Sequence, residues 1–321
     1  MRTVVTGGAG FIGSHLVERL VHTGHDVHVI DNLHTGRKEN LSGSGEASFS
    51  FHRGAAGDIS TFGLKGVETV FHLGIYSSSP MYRQDPTLVA KVVQDAIGIY
   101  EFAKREGCRL VVASTSSIYN GNPVPWSESA PIRVTDYYTE ARYAVERLGE
   151  LYHKLYGVGS THLRLFSVYG EREEGKGRYA NTLTQFLWSA MRGSQPVLYG
   201  DGNQSRDLTY VGDVVDAFLL ASRGRSQSQR EEGGYAVFNV GTGRATSFNA
   251  MVKLIGEKLG IRAEPKYVPL DTTNYVMHTL ADTAKAKEAL GFQAKVTLEQ
   301  GLERMIAYYG GVVKSLPKLE G

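Results

Sequence analysis

Three glycines, a run of hydroxyls and a tyrosine–arginine pair are the residues whose spacing implies chemistry. Gly7-Gly8-Ala9-Gly10-Phe11-Ile12-Gly13 joins a strand-like segment, Arg2–Thr6, to Phe11, Ile12, Leu16, Val17 and Leu20, which recur at helical spacing. In such a turn Gly7 permits the tight bend, Gly10 lets backbone approach a pyrophosphate, and Gly13 lets helix and strand pack closely. Amide groups at the helix start, where Phe11 and Ile12 stand, face phosphate and favour its charge. Glycine turns are common, and the pattern gains weight from Asp31 at the end of the next strand. A carboxylate there holds adenosine ribose hydroxyls and repels a 2′-phosphate, so NAD is expected over NADP. Asn32 lies beside it, with His34, Arg37 and Lys38 just beyond. Asp58-Ile59 is read as an adenine contact, and Leu73 as a further cofactor neighbour; an ordinary surface turn also explains Asp58-Ile59.

Ser114-Thr115-Ser116-Ser117 ends an apolar strand, Arg109–Ser114, so its hydroxyls are expected at a cleft on the carboxyl edge of a sheet. Tyr138 and Arg142, four apart on a helical segment, share a face. A tyrosine that takes a proton from a sugar hydroxyl needs its pKa lowered from about 10 towards neutrality. A nearby cation does this by stabilising the phenolate, and Thr115 is placed to share the substrate oxygen. Among 18 tyrosines the same spacing also arises as a plain surface pair, and spacing alone leaves both readings open. A third cluster runs from Gly200 to Asp207, with Tyr210 and Asp213 after it. Arg206 has the planar fork that grips phosphate, while the aspartates serve equally well as loop braces.

The elements that must position these groups alternate. Strands are read at Arg2–Thr6, Val27–Ile30, Ala47–His52, Val67–Leu73, Arg109–Ser114 and Gly159–Phe166, with helices at Leu88–Arg105 and Tyr138–Tyr156. This alternation predicts an α/β, doubly wound parallel sheet of Rossmann type. After Val168 the pattern changes to a charged loop, a helix at Asn181–Met191, a short strand near Pro196–Gly202, and helices at Val211–Ser222, Phe248–Leu259, Asp282–Leu290 and Leu298–Tyr309. We assign 1–168 to the dinucleotide-binding domain, with 208–245 partly returning to it. Residues 169–310 are read as a smaller C-terminal substrate-binding lobe and 311–321 as a loose tail. Gly224–Gly234 reads as a solvated loop.

Composition bounds the partners. The 321 residues carry a formal net charge of +2, which gives no general pull towards nucleic acid or anionic lipid. Cys108 is the only cysteine, so an intrachain disulfide and a cysteine-based zinc site are excluded, and no metal is expected. With no export signature and no apolar run of about 18 residues, a cytoplasmic enzyme is the default.

Read together, the segments resemble the extended short-chain dehydrogenase/reductase family, in its nucleotide-sugar epimerase and dehydratase branch, over nearly the whole chain. The motifs are VTGGAGFIGSHL at Val5–Leu16, DNL at Asp31, GDI at Gly57–Ile59, FHL at Phe71–Leu73 and STSSIY at Ser114–Tyr119. RLFSVYG at Arg164–Gly170, YGDGNQSRDLTYVGDV at Tyr199–Val214, FNVG at Phe238–Gly241 and DTAKAKEALGF at Asp282–Phe292 complete them. The resemblance implies bound NAD, a nucleotide-diphosphate sugar substrate, and Tyr138 as acid/base with Thr115 and Arg142 assisting. It also implies hydride transfer from sugar C4 to give a transient 4-keto sugar. Ser116, Ser117, Ser167, Asn181, Arg206 and Tyr210 are carried over as substrate contacts, and Leu88–Arg105 with Tyr138–Tyr156 as a homodimer face.

Departures from the pattern inform the reading. Arg142 stands where the family has lysine, and keeps the charge with a bulkier, planar group. Ser167 replaces an asparagine, Gly74 and Ile75 replace alanines, and Thr272–His278 lacks an arginine common in the family. These changes imply a remodelled substrate side on an intact cofactor side. Dehydratases resemble Thr-Asp-Glu at the strand end and uronate decarboxylases Thr-Ser-Glu, whereas this chain has Thr115-Ser116-Ser117; Glu140 points to another helix face. A nucleotide-sugar 4-epimerase is therefore the leading expectation. A dehydratase, decarboxylase or 4-reductase, or a catalytically impaired NAD-binding protein, is the alternative.

Overall fold

The computed structural model describes residues 1–44, 48–223, 234–270, 275–313 and 316–317. The chain begins with β1 (Arg2–Thr6), buried from its second residue onward, and turns through the glycines into α1 (Phe11–His22). Then follow β2 (Asp26–Asp31), β3 (Phe49–Arg53), β4 (Thr69–His72), α2 (Ser79–Gln84), α3 (Leu88–Glu106) and β5 (Arg109–Thr115). Next come α4 (Tyr137–Tyr156), β6 (Ser160–Leu165), β7 (Val168–Tyr169), α5 (Thr182–Met191), β8 (Val197–Tyr199), β9 (Ser205–Asp207), β10 (Thr209–Tyr210) and α6 (Val211–Ser222). The chain ends with β11 (Tyr235–Val240), β12 (Ala245–Ser247), α7 (Phe248–Leu259), β13 (Lys266–Val268), α8 (Ala284–Leu290) and α9 (Leu298–Gly310).

Seven strands form one parallel sheet in the order β11-β6-β5-β4-β1-β2-β3. This bears out the Rossmann-type expectation. Its strand order reverses between β1 and β4, the place where an open α/β sheet leaves a crevice at its carboxyl edge. One apolar layer packs α3 and α4 on the sheet, through Val92, Ile99, Phe102, Val145 and their neighbours. The other packs α1 and α6 on the opposite face, through Leu16, Val17, Leu20, Val214 and Phe218. A third cluster, built on Trp188, Met251, Leu302 and Tyr309, is the core of the smaller lobe.

Local chemistry sets the ends of α4. The Asp136 carboxylate accepts from Thr139 N (2.8 Å) and the Thr139 hydroxyl accepts from Asp136 N (3.1 Å), a reciprocal cap. Gly157 stops the helix in the left-handed region at φ 71°. The structure differs from the sequence reading at element ends and in short elements that the reading lacked, α2, β7, β9, β10, β12 and β13. Asn181 caps α5 rather than entering it, accepting from Leu183 N at 3.0 Å, and the charged loop after Gly170 holds a short 3-10 helix at Glu174–Tyr179. Of the stretch read as a tail, residues 311–313 and 316–317 are described. Leu316 is buried in the lobe core, and Arg192 donates to the Pro317 carbonyl at 2.6 Å. The solvated loop read at 224–234 lies, except for Gly234, outside the described residues. Cys108, the single cysteine, is buried, and burial pushes its thiol up to about 12.

Candidate functional site

A cavity of about 780 Å³ opens at the carboxyl ends of β1, β2, β4 and β5 and extends to the smaller lobe. Of the cofactor candidates, Gly7, Gly10, Phe11, Ile12, Gly13, Asp31, Asn32 and Leu73 line it. The glycines form a cradle that side chains would fill. Gly7 has φ +69°, and a Cβ on Gly13 would lie 2.1 Å from the Gly7 carbonyl oxygen. Gly10 donates to that same oxygen at 3.0 Å, closing the turn before α1. The residues present therefore fit a dinucleotide pyrophosphate on exposed backbone. Asp31 accepts from Leu33 N (2.7 Å) and Ala9 N (3.0 Å), which fixes its carboxylate beside the turn; burial raises its pKa and those two amides oppose the rise.

Asp58 and Ile59, read as adenine contacts, stand just outside the residues that line the cavity. The Asp58 carboxylate accepts from Ala55 N at 3.2 Å at the head of a short 3-10 helix, Ala56–Phe62, and Ile59 is buried in the α3 side of the core. Gly54, Ala56 and Asp95 line that end instead.

At the other end β5 and α4 bring Thr115, Ser116, Ser117, Tyr138 and Arg142 to the same cavity. The helix register chooses Tyr138, since its neighbour Tyr137 is 52% exposed and is not a lining residue. Arg142 is buried. It donates to the Ala113 carbonyl from Nη1 and to the Tyr76 carbonyl from Nη2, each at 3.0 Å, and its guanidinium carbon sits 5.2 Å from the centre of the Tyr138 ring. Its Nε is buried with no hydrogen-bond partner among the described residues. Thr115 Oγ1 accepts from Ser117 N at 3.1 Å, which leaves the threonine proton free to be donated. Behind this edge His72, hydrogen-bonded to the Thr6 hydroxyl at 2.8 Å, is held neutral. Burial, helped by the Arg142 charge, lowers its pKa to about 3.

A buried polar network stands behind the hydroxyl strand. Glu146, one turn after Arg142, accepts from Ser114 Oγ (2.5 Å) and pairs with Arg164 (3.0 and 2.6 Å). Arg164 also donates to Tyr119, whose hydroxyl donates to Asn239 on β11 at 2.9 Å. Nothing local in the sequence marks these partners.

From the lobe side, Ser167, Asn181 and Arg206 line the cavity. Ser167 has φ 27°. Arg206 lies over Phe248 (5.1 Å) and Tyr275 (5.6 Å); desolvation pulls its pKa below the usual arginine value, opposed by Tyr275. Tyr210 does not reach the cavity, because its ring is buried and its hydroxyl donates to the Glu171 carboxylate at about 3.0 Å. The residues that sequence reasoning missed include Ser77–Ser79, Asp95, Asp136, Lys176, Tyr199 and Tyr275. Only the serine run, polar and a few residues beyond a buried strand, carried a signal that would have found any of them. The cavity acids among the described residues are Asp31, Asp95 and Asp136, and each is occupied. Asp95 accepts from Gly57 N, and Asp136 accepts from Thr139 N and from Ser79.

Among the described residues no group of three or more His, Cys, Asp or Glu side chains is arranged to hold a metal ion, and no helix is long and apolar enough to cross a membrane.

Comparison with known proteins places this geometry. A UDP-glucose 4-epimerase of Mycolicibacterium smegmatis is 34% identical, covering 96% of this chain and 98% of that one. UDP-glucuronic acid decarboxylase 4 of Arabidopsis thaliana is 32% identical over 95% of this chain and 68% of that longer protein. The crystal structure of the Thermotoga maritima UDP-glucose 4-epimerase with UDP-glucose superposes with a TM-score of 0.89 at 34% identity, covering 98% of this chain and all of that one. Residues 3–241 match the model of the NAD dependent epimerase/dehydratase family, and the chain belongs to that NAD-dependent family.

Proposed function

We propose that the chain is a 4-epimerase of a nucleotide-diphosphate sugar, the UDP-sugars being the first candidates because its relatives are named for them. The observation that carries this reading is the hydroxyl end of β5. Thr115-Ser116-Ser117 offers no carboxyl group, and the cavity's aspartates are tied to backbone or to a serine. Elimination of water needs a separate acid and base at the sugar, whereas epimerisation needs only reversible removal of a proton and a hydride. Bound NAD supplies the hydride acceptor and donor.

The chain's own residues do the rest. Tyr138 takes the proton of the C4 hydroxyl and returns it. Arg142, pinned by two carbonyls, keeps its positive charge against the Tyr138 ring and fixes where that ring stands. Thr115, its oxygen engaged by Ser117 N, donates to the same substrate oxygen. Asp31 holds the adenosine ribose, and Arg206 and Asn181 lie on the sugar-nucleotide side of the cavity. The apolar residues Ile97, Leu151, Leu155 and Tyr156, exposed on the adjacent helices α3 and α4, support a homodimer formed through that face.

The test is incubation with UDP-, GDP-, dTDP- and CDP-sugars, with products resolved by C4 stereochemistry. At least one sugar is expected to interconvert with no net NADH, and Tyr138→Phe to abolish it; full turnover in that variant defeats the assignment. The similarity to a decarboxylase favours one second reading, which predicts carbon dioxide release from UDP-glucuronate instead.

A further inference from the structure

Two rings from different strand ends meet at the cofactor end of the cavity. His34 stands in the loop after β2 and Tyr76 in the loop after β4. Both line the cavity, and their rings meet edge to face, centroids 5.0 Å apart at 76°. In the sheet β1 lies between β2 and β4, so this contact spans the carboxyl end of β1, where the glycine turn sits.

Both ends of the span are anchored. On the His34 side, Arg37 N and Asn40 Nδ2 each donate to the Ala9 carbonyl at 2.9 Å, and His34 N donates to Asn32 Oδ1 at 3.0 Å. On the other side the Tyr76 carbonyl accepts from Arg142 Nη2 and from the Tyr82 hydroxyl, each at 3.0 Å. The Tyr76 ring also meets Tyr82, which in turn meets Tyr138 (6.5 and 5.6 Å). Ring contacts thus run from the Asp31 loop to the proposed acid/base.

We propose that the His34–Tyr76 contact is a strap across the bound dinucleotide, and that these two side chains retain NAD between turnovers. A dinucleotide with its ribose at Asp31 and its pyrophosphate on the glycine turn must extend towards Thr115 and Tyr138. That path runs from the end of β2 past β1 to β4 and β5, and the strap crosses it. NAD leaves only after the rings part. His34 is exposed and is the half that swings; Tyr76, half-buried and held through its carbonyl, is the fixed half. The inference rests on NAD dependence and not on which sugar reaction follows, so a failed epimerase assay and a failed strap are separate results.

The experiment reads cofactor release. Protein loaded with NADH is chased with excess NAD, and the decay of bound NADH fluorescence gives the dissociation rate for the parent, His34→Ala, Tyr76→Leu, the double variant and His34→Phe. An edge-to-face pair is worth enough to speed release by about two- to tenfold when either ring is lost. The double variant is expected to release no faster than the faster single, and His34→Phe to stay near the parent. Unchanged rates in both singles overturn the proposal. So do effects that multiply in the double variant, or a His34→Phe rate equal to that of His34→Ala. If Tyr76→Leu does not fold, the two His34 variants decide alone.

Discussion

Replacing Glu146 with leucine removes the carboxylate and strands Arg164, whose side chain is only 5% exposed. The stranded guanidinium keeps the Tyr119 hydroxyl but loses two charged hydrogen bonds, and Ser114 loses its acceptor. Breaking one side of a buried ion pair costs about 3–5 kcal/mol, most of it the desolvated charge left alone. Arg164→Met should cost about as much, because it strands the carboxylate in turn. Making both changes removes both charges and leaves the Ser114 hydroxyl without its acceptor and the Tyr119 hydroxyl and Glu128 carbonyl each short of one donor, about 1 kcal/mol or less each. The double variant should therefore be more stable than either single. Urea unfolding followed by fluorescence measures this, since Trp126 lies 5.6 Å from the Tyr119 ring and Trp188 sits in the other lobe. Each single variant should lower the midpoint by about 1 M or more, given slopes of ~1–3 kcal/mol per molar urea. A double variant destabilised by the sum of the singles would refute the reasoning, because the two groups would then not be compensating one another.

Three further outcomes follow from the same geometry. Gly13→Ala places a Cβ against the Gly7 carbonyl and should weaken NAD binding about tenfold or more, the equivalent of ~1.4 kcal/mol, measured by fluorescence titration. Arg142→Lys cannot span two carbonyls with one ammonium. It should lose about 1.5–3 kcal/mol of stability in urea melts while still binding NAD and changing kcat. His72 and His162 are buried, with pKa values lowered to about 3 and about 4, so between those values and about 6.5 the unfolded chain binds more protons than the folded one. Their stabilisation is whole above about pH 6.5 and is lost as pH falls, by roughly 1.4 kcal/mol per unit for each histidine. Urea midpoints from pH 7 to 4 should show this fall, with a shallower slope in His162→Gln.

What was legible in the sequence was what is local. The glycine turn, Asp31 at a strand end and the hydroxyls closing β5 each lie within a few residues of the element that positions them, and the cavity brings them together. Tyr138 is local in the same sense, because the Asp136-to-Thr139 cap that starts its helix lies within three residues of it. What was not legible depends on partners far along the chain. Glu146 and Arg164 meet across α4 and β6, and His34 and Tyr76 meet across a strand that neither belongs to. The partner of the Tyr210 hydroxyl, Glu171, is likewise distant, 39 residues away. Asp58 caps a short 3-10 helix, a role that sequence does not distinguish from facing an adenine.

The lone thiol of Cys108 makes the molecule its own reporter of opening. Thiolate is the species that reacts, and a buried thiol with its pKa near 12 presents almost none of it at neutral pH. A thiol reagent should therefore be consumed only as fast as the region around the start of β5 comes apart, one equivalent per chain and with no background. A cysteine introduced at an exposed position would, for the same reason, be the single site that takes a label while the chain stays folded.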